Sequence, residues 1–162
     1  MTDKENITNN ETRKHIVNVI RFINFFVKML LDRAVHHDTT KLMSPEVELF
    51  ALLTDRLASC TYGSEEYKKF LKDLDPALKH HYACNRHHPE HFVNGVTDMT
   101  LVDLVEMFCD WKAATLRHND GNLLKSIEHN ASRFDVPPVL TQIFKNTATL
   151  LEEAIQREEA GH

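Results

Sequence analysis

Apolar residues recur every three to four positions in segments separated by short polar or Pro- and Gly-containing breaks, a pattern that predicts helices. The longest such segment, Ile16 to Leu31, is nearly continuous in apolar residues, so membrane insertion has to be weighed. Asn18, Arg21, Asn24 and Lys28 interrupt it at three- to four-residue intervals and line one helical stripe, and four polar groups are costly in lipid. The segment is therefore expected to be an amphipathic core helix from about Thr12 to Asp32, capped by Asn10 or Thr12. Residues 1–11 (MTDKENITNNE) lack apolar periodicity and are expected to form a flexible terminus.

Punctuation residues set the later boundaries. Ser44-Pro45-Glu46 supplies an N-cap, a Pro at N1 and an acidic first turn for a helix to about Ser59. Tyr62-Gly63-Ser64 breaks the pattern, with Ser64 capping a helix to about Lys72, and Asp75-Pro76 opens another to about Arg86. From Pro89 to Thr97 there is no helical period, so a loop is expected. Leu101, Leu104, Val105, Phe108 and Trp111 then carry a helix over about Thr100 to His118, which Asn119-Asp120-Gly121 stops. A helix over about Asn122 to Arg133 and a last one from Pro137-Pro138 to about Glu159 complete the series. No repeat or linker divides the chain, which predicts one domain over residues 12–159.

Composition agrees with this pattern. In 162 residues, 42% hydrophobic content supports one sizeable core, and 4 Gly with 5 Pro leave few sites for the tight turns of a sandwich or barrel. The expected fold is an all-α, single-domain bundle of about six or seven helices. With 19 Lys and Arg against 24 Asp and Glu the formal charge is −5, and no basic block exceeds two residues, which disfavours a nucleic-acid surface. Cys60, Cys84 and Cys109 are odd in number and form no CxxC pair, and no secretory leader is evident before them, so a reducing cytoplasm is expected.

Histidine changes the picture. Of eleven, His80, His81, His87, His88 and His91 fall within twelve positions, and imidazole is the commonest ligand for borderline metals. His81 and His88 are two helical turns apart and would share a face, with Asn85 between them and His87 pointing elsewhere. Solvated or helix-end histidines are the plainer reading of any one of them; the density of the cluster favours coordination. A second group is His36-His37-Asp38 with Lys41, where His36 fits a helix C-terminus but Asp38 is disfavoured at the negative end of a helix. A third is Asp103, Glu106 and Asp110, three acids on one stripe of a mostly apolar helix. Exposure would relieve their repulsion at Asp103, whereas Asp110, between Cys109 and Trp111, calls for a metal or a cationic partner. His15 on the first helix is an ordinary boundary histidine taken alone.

Together, His15, His37-Asp38 and Asp110 resemble the HD-domain superfamily of all-helical, metal-dependent phosphohydrolases, named for the adjacent His-Asp pair. The resemblance implies metal ligands at His15, His37, Asp38 and Asp110, with His81, His87 and His88 as further ligands for a second ion. Lys41 three residues after Asp38 matches the HDxxK form, and HHPEHFVNG followed by DLVEMFCDW looks like the corresponding parts of the HD-GYP branch, without its GYP residues. The set HHDTTK, HHYACNRHHPEH and LVEMFCDW is closer still to a small family of bacteria and their phages marked by HHDxSK, NxHHPEH and EMxxDW elements, over about residues 12 to 135. Thr40 replaces its more usual Ser.

That resemblance implies metal-activated water attacking a phosphate ester or phosphodiester, a nucleotide or another small molecule. One or two divalent transition metals (Mn, Fe, Co, Ni or Zn) would suit the imidazole-rich set. Lys41 with Arg86 or Arg117 would neutralise phosphate, Asp38 and Lys41 would act at the reacting centre, and Glu106 or Asp103 would orient a ligand His or accept a proton. His91 is a candidate substrate or second-metal contact. Arg117, Lys125 and Arg133, between Trp111 and Phe134, are candidates for a nucleotide pocket against the commoner reading as solvated surface. The rivals are a di-iron oxygenase on the same fold, a non-catalytic metal- or nucleotide-binding module and a purely structural bundle. No membrane partner is expected, and a homo-oligomer stays open.

Overall fold

In the computed structural model, which describes residues 2–59, 65–117 and 121–161, the described residues form six α-helices, three 3-10 turns and no strand. The chain is all-α, as its sequence pattern predicts. It falls into two compact units, residues 1–37 and 38–162.

The first unit is the helix α1 (Asp3–His36) with its C-cap His37. It begins nine residues earlier than expected because Thr2 and Glu5 form a capping box: the Glu5 amide donates to Thr2 Oγ1 (3.3 Å) and the Thr2 amide donates to Glu5 Oε2 (2.5 Å). The helix also runs past Asp32, where His36 Nδ1 donates to the Asp32 carbonyl (2.8 Å), the role expected of a His at a helix C-terminus. Residues 3–11, expected to be a flexible terminus, are thus helical.

The second unit opens with a 3-10 turn (Thr39–Leu42), followed by α2 (Glu46–Ser59) and α3 (Glu65–Cys84), which pack on each other. The expected break at Asp75-Pro76 is absent, and α3 runs through Pro76. Losing one backbone donor is offset there by burial of Leu74, Ala77 and His81 on either side of it. The Ser64 cap and the Asn119-Asp120 stop lie outside the described residues, as does Cys60. After α3, 3-10 turns at Pro89–His91 and Gly95–Asp98 occupy the predicted loop.

Three helices then build the core. They are α4 (Leu101–Thr115), capped by Thr100; α5 (Leu123–Arg133), capped by Asn122; and α6 (Pro138–Ala160). Met107, Phe108 and Trp111 of α4 meet Ile127 of α5 and Phe144 and Ala148 of α6. The Phe108 and Phe144 rings stack at 5.8 Å, and Trp111 meets Phe144 edge-on at 5.5 Å. Burying the apolar face of α4 here turns its acidic stripe toward the end of α3.

Candidate metal centre

Asp38 opens the second unit in the left-handed region (φ 55°, ψ 13°), which Asp adopts more readily than most residues. The turn it starts brings Lys41 back, with Nζ 2.5 Å from Asp38 Oδ2. A single local turn therefore sets both residues side by side.

From the last turns of α3 comes His81, only 2% exposed. The helix ends at Cys84, so His88 does not reach His81 along a continuous helical face as expected. Instead the chain doubles back, with the His88 amide donating to the Asn85 carbonyl (3.3 Å), and sets His88 Nε2 2.8 Å from His81 Nε2. The same reversal brings in His87, expected to point elsewhere: it is 1% exposed, its ring centroid lies 4.1 Å from that of His88, and its Nε2 lies 3.5 Å from Asp38 Oδ1. His81 Nε2 is 3.3 Å from the same oxygen.

Carboxylates lie behind two of these rings. Glu46, fully buried, takes hydrogen bonds from His81 Nδ1 (2.9 Å) and Thr40 Oγ1 (3.0 Å) on Oε2 and from His80 Nδ1 (2.7 Å) on Oε1. Burial pushes its carboxyl upward, but the hydrogen bonds from His80, Thr40 and His81 outweigh burial and hold it below the usual value. The amide hydrogens of Asn85 go to Thr40 Oγ1 and the His81 carbonyl, both at 2.8 Å, so Nδ1 of His81 is assigned as the donor to Glu46 and Nε2 keeps its lone pair. On α4, Glu106 Oε1 stands 3.2 Å from His87 Nδ1. Sequence reasoning read Glu46 only as an acidic first-turn residue and so missed its contact with His81.

Asp110 closes the arrangement, with a carboxylate oxygen within 4.8 Å of one from Asp38. His88 has its pKa lowered to about 3, first by burial and then by the charges of His87 and His81, against the opposing pull of Asp110 and Asp38. It is thus a neutral imidazole at physiological pH, the form that binds metals.

Arg86 forks onto Asp103, with Nε and Nη2 each 3.1 Å from a carboxylate oxygen, and lies over the Phe92 ring. Asp103 is buried rather than solvent-relieved, because it also accepts from the Thr100 amide (2.9 Å) and hydroxyl (2.7 Å) as the capping box of α4. His91 Nδ1 donates to the Tyr82 carbonyl (2.9 Å), which pins the turn. Arg117 is exposed just beyond α4. His15 lies on α1 and His37 caps it, both in the first unit.

Donor atoms of Asp38, His81, His87 and His88 all lie within 4.8 Å of one another. An ion about 2.0–2.2 Å from each ligand needs separations of at most about 4.4 Å, so sub-ångström side-chain shifts would close the group on one cation. The donor set fits: three imidazoles, two of them backed by carboxylates, and an acidic oxygen. This buried group can hold a metal ion.

Fold and site together define an all-helical protein organised around a compact His/Asp donor cluster. By sequence the chain belongs to a family of unknown function, DUF5662, whose model matches residues 4–157. No curated protein and no solved structure matches it. Among the described residues, no helix is long and apolar enough to cross a membrane.

Proposed function

We propose that this protein is a metal-dependent phosphohydrolase whose centre is held by Asp38, His81, His87 and His88, with Asp110 beside them. The observation that carries this reading is the convergence of His81 Nε2, His88 Nε2 and Asp38 Oδ1, with His81 locked from behind by Glu46. His37 stays in the proposal through its adjacency to Asp38 in the sequence.

A bound divalent transition metal supplies a water whose pKa is lowered from about 15.7 to about 7 and a Lewis acid for a phosphoryl oxygen. The residues do the rest. Glu46 keeps His81 in the tautomer that leaves Nε2 as the ligand atom, and Glu106 stands beside Nδ1 of His87. Lys41, anchored on Asp38, places a cation where phosphate charge accumulates. Asp110 is positioned to accept the proton that water gives up.

The test is metal content first and turnover second. Protein purified without chelator and supplied with Mn, Fe, Co, Ni or Zn is expected to bind one or two ions per chain and to release phosphate from a panel of phosphate mono- and diesters. Asp38→Asn and His81→Ala are each expected to abolish both. Metal binding without turnover on any ester would select a non-catalytic metal-binding module; bound iron with oxygen-dependent absorbance changes would select an oxygenase. A chain that takes up no metal would end the proposal.

A further inference from the structure

His87, His88 and Asp110 form one wall of a cleft of about 190 Å³ in the second unit. Its opposite wall comes from α5 and the residue after it, with Ser126, Asn130, Arg133 and Phe134. Tyr82 joins the two walls: its ring lies 4.9 Å from that of His88, and its hydroxyl faces the Arg133 guanidinium. Burial and the Glu90 charge raise the Tyr82 pKa against the opposing effect of Arg133, so the hydroxyl keeps its proton and serves as a donor.

Arg133 is held in place from two sides. Its Nη2 donates to Glu90 Oε1 at 2.9 Å, and its guanidinium carbon sits 4.5 Å above the Phe134 ring. A guanidinium has five N–H donors in a rigid fork, so the Glu90 contact commits only part of it. On the floor, Asn130 Nδ2 donates to Ser126 Oγ (3.3 Å). The cleft thus has donor atoms for a metal at one wall and a stacked cation with neutral hydrogen-bonding groups at the other, and Trp111 also lines it.

We propose that this cleft is the substrate recess of the metal site, in which Arg133 grips the phosphoryl oxygens of a compact phosphomonoester. The inference rests on the metal-phosphohydrolase reading and narrows it. At about 190 Å³ the cleft is smaller than the ~300–1,000 Å³ of sites that enclose drug-sized ligands, so its volume matches a phosphoryl group with a few carbon atoms better than a whole nucleotide. In the reaction, the ester P–O bond breaks, the oxygen of water bonds to phosphorus and a proton from that water passes to the leaving oxygen. No oxidant or reductant takes part.

The experiment measures Mn binding, then binding of inorganic phosphate to the Mn-loaded protein by calorimetry, for the wild type, Arg133→Met and Ala114→Phe. The last substitution fills the cleft from its α4 side and leaves Arg133 intact. Both variants are expected to keep Mn affinity within about threefold and to lose phosphate affinity about tenfold or more, Arg133→Met by removing charge-assisted hydrogen bonds and Ala114→Phe by occupying the space. Glycerol 2-phosphate is expected to turn over faster than AMP or bis(p-nitrophenyl) phosphate. Mn binding with phosphate affinity unchanged in both variants overturns the inference alone, as does preferred turnover of AMP. A wild type that binds no Mn overturns the metal reading and this inference with it.

Discussion

Glu46 Oε2 lies 2.9 Å from His81 Nδ1, on the side of the ring away from His88 and Asp38. This fixes which nitrogen of a buried imidazole is free to coordinate, and the Thr40 and His80 donors keep the carboxylate charged while it does so. Glu46→Gln keeps the volume and one acceptor but removes the charge. It is expected to weaken metal binding by about 10- to 100-fold while leaving the helical content intact, as read by metal titration alongside circular dichroism. Unchanged affinity would reduce Glu46 to a packing residue.

Much of the architecture was legible because helix periods and caps are local. Thr100 and Asn122 lie where their side chains accept hydrogen bonds from the first turns of α4 and α5. The N-terminus was misread for a reason also local: Thr2-Asp3-Lys4-Glu5 carries a capping box that composition alone obscured. At Pro76 the local rule lost to tertiary burial on α3. The donor types of the site were visible as the His-rich segment and the acidic stripe, but their meeting depends on a chain reversal after Cys84 that no helical spacing encodes. That Arg86 and Asp103, 17 positions apart, pair with each other is likewise not encoded in any local spacing.

Metal should stabilise the fold as well as occupy the site, since the unfolded chain presents no assembled donor group. At a free metal concentration 100 times the dissociation constant, binding adds about 2.7 kcal/mol. For a chain of this size that corresponds to a Tm increase of about 5–10 °C. EDTA is expected to reverse the gain, and His87→Ala to remove it. A melting curve indifferent to metal would mean that the donors do not close on an ion.

The Arg86–Asp103 pair is expected to govern stability rather than metal or substrate affinity. Removing one partner of a fully buried pair costs about 3–5 kcal/mol, and the 42% exposure of the Arg86 side chain lowers this to about 2–3 kcal/mol. Asp103→Ala also takes away the capping box of α4, so it should be the more damaging of the two single substitutions. Urea unfolding measures the cost, and metal titration of the folded fraction should give the wild-type affinity. Loss of metal affinity from Arg86→Ala would return that residue to the site.

Acid sensitivity of the metal-free protein follows from His88. In the unfolded chain its imidazole takes up a proton near the ordinary value of 6.5; in the folded protein it does so only near 3. Between those values the unfolded state binds more protons, so stability falls as pH drops from about 6.5 toward about 3; above 6.5 neither state holds the proton and the contribution is constant. Glu46 adds a loss in the same direction below its ordinary carboxyl range, but it is common to both proteins compared here. Urea midpoints of EDTA-treated wild type at pH 7.5, 6, 5 and 4 are therefore expected to decline more steeply than those of His88→Asn. Parallel declines would show that His88 takes up its proton as readily in the folded chain as in the unfolded one.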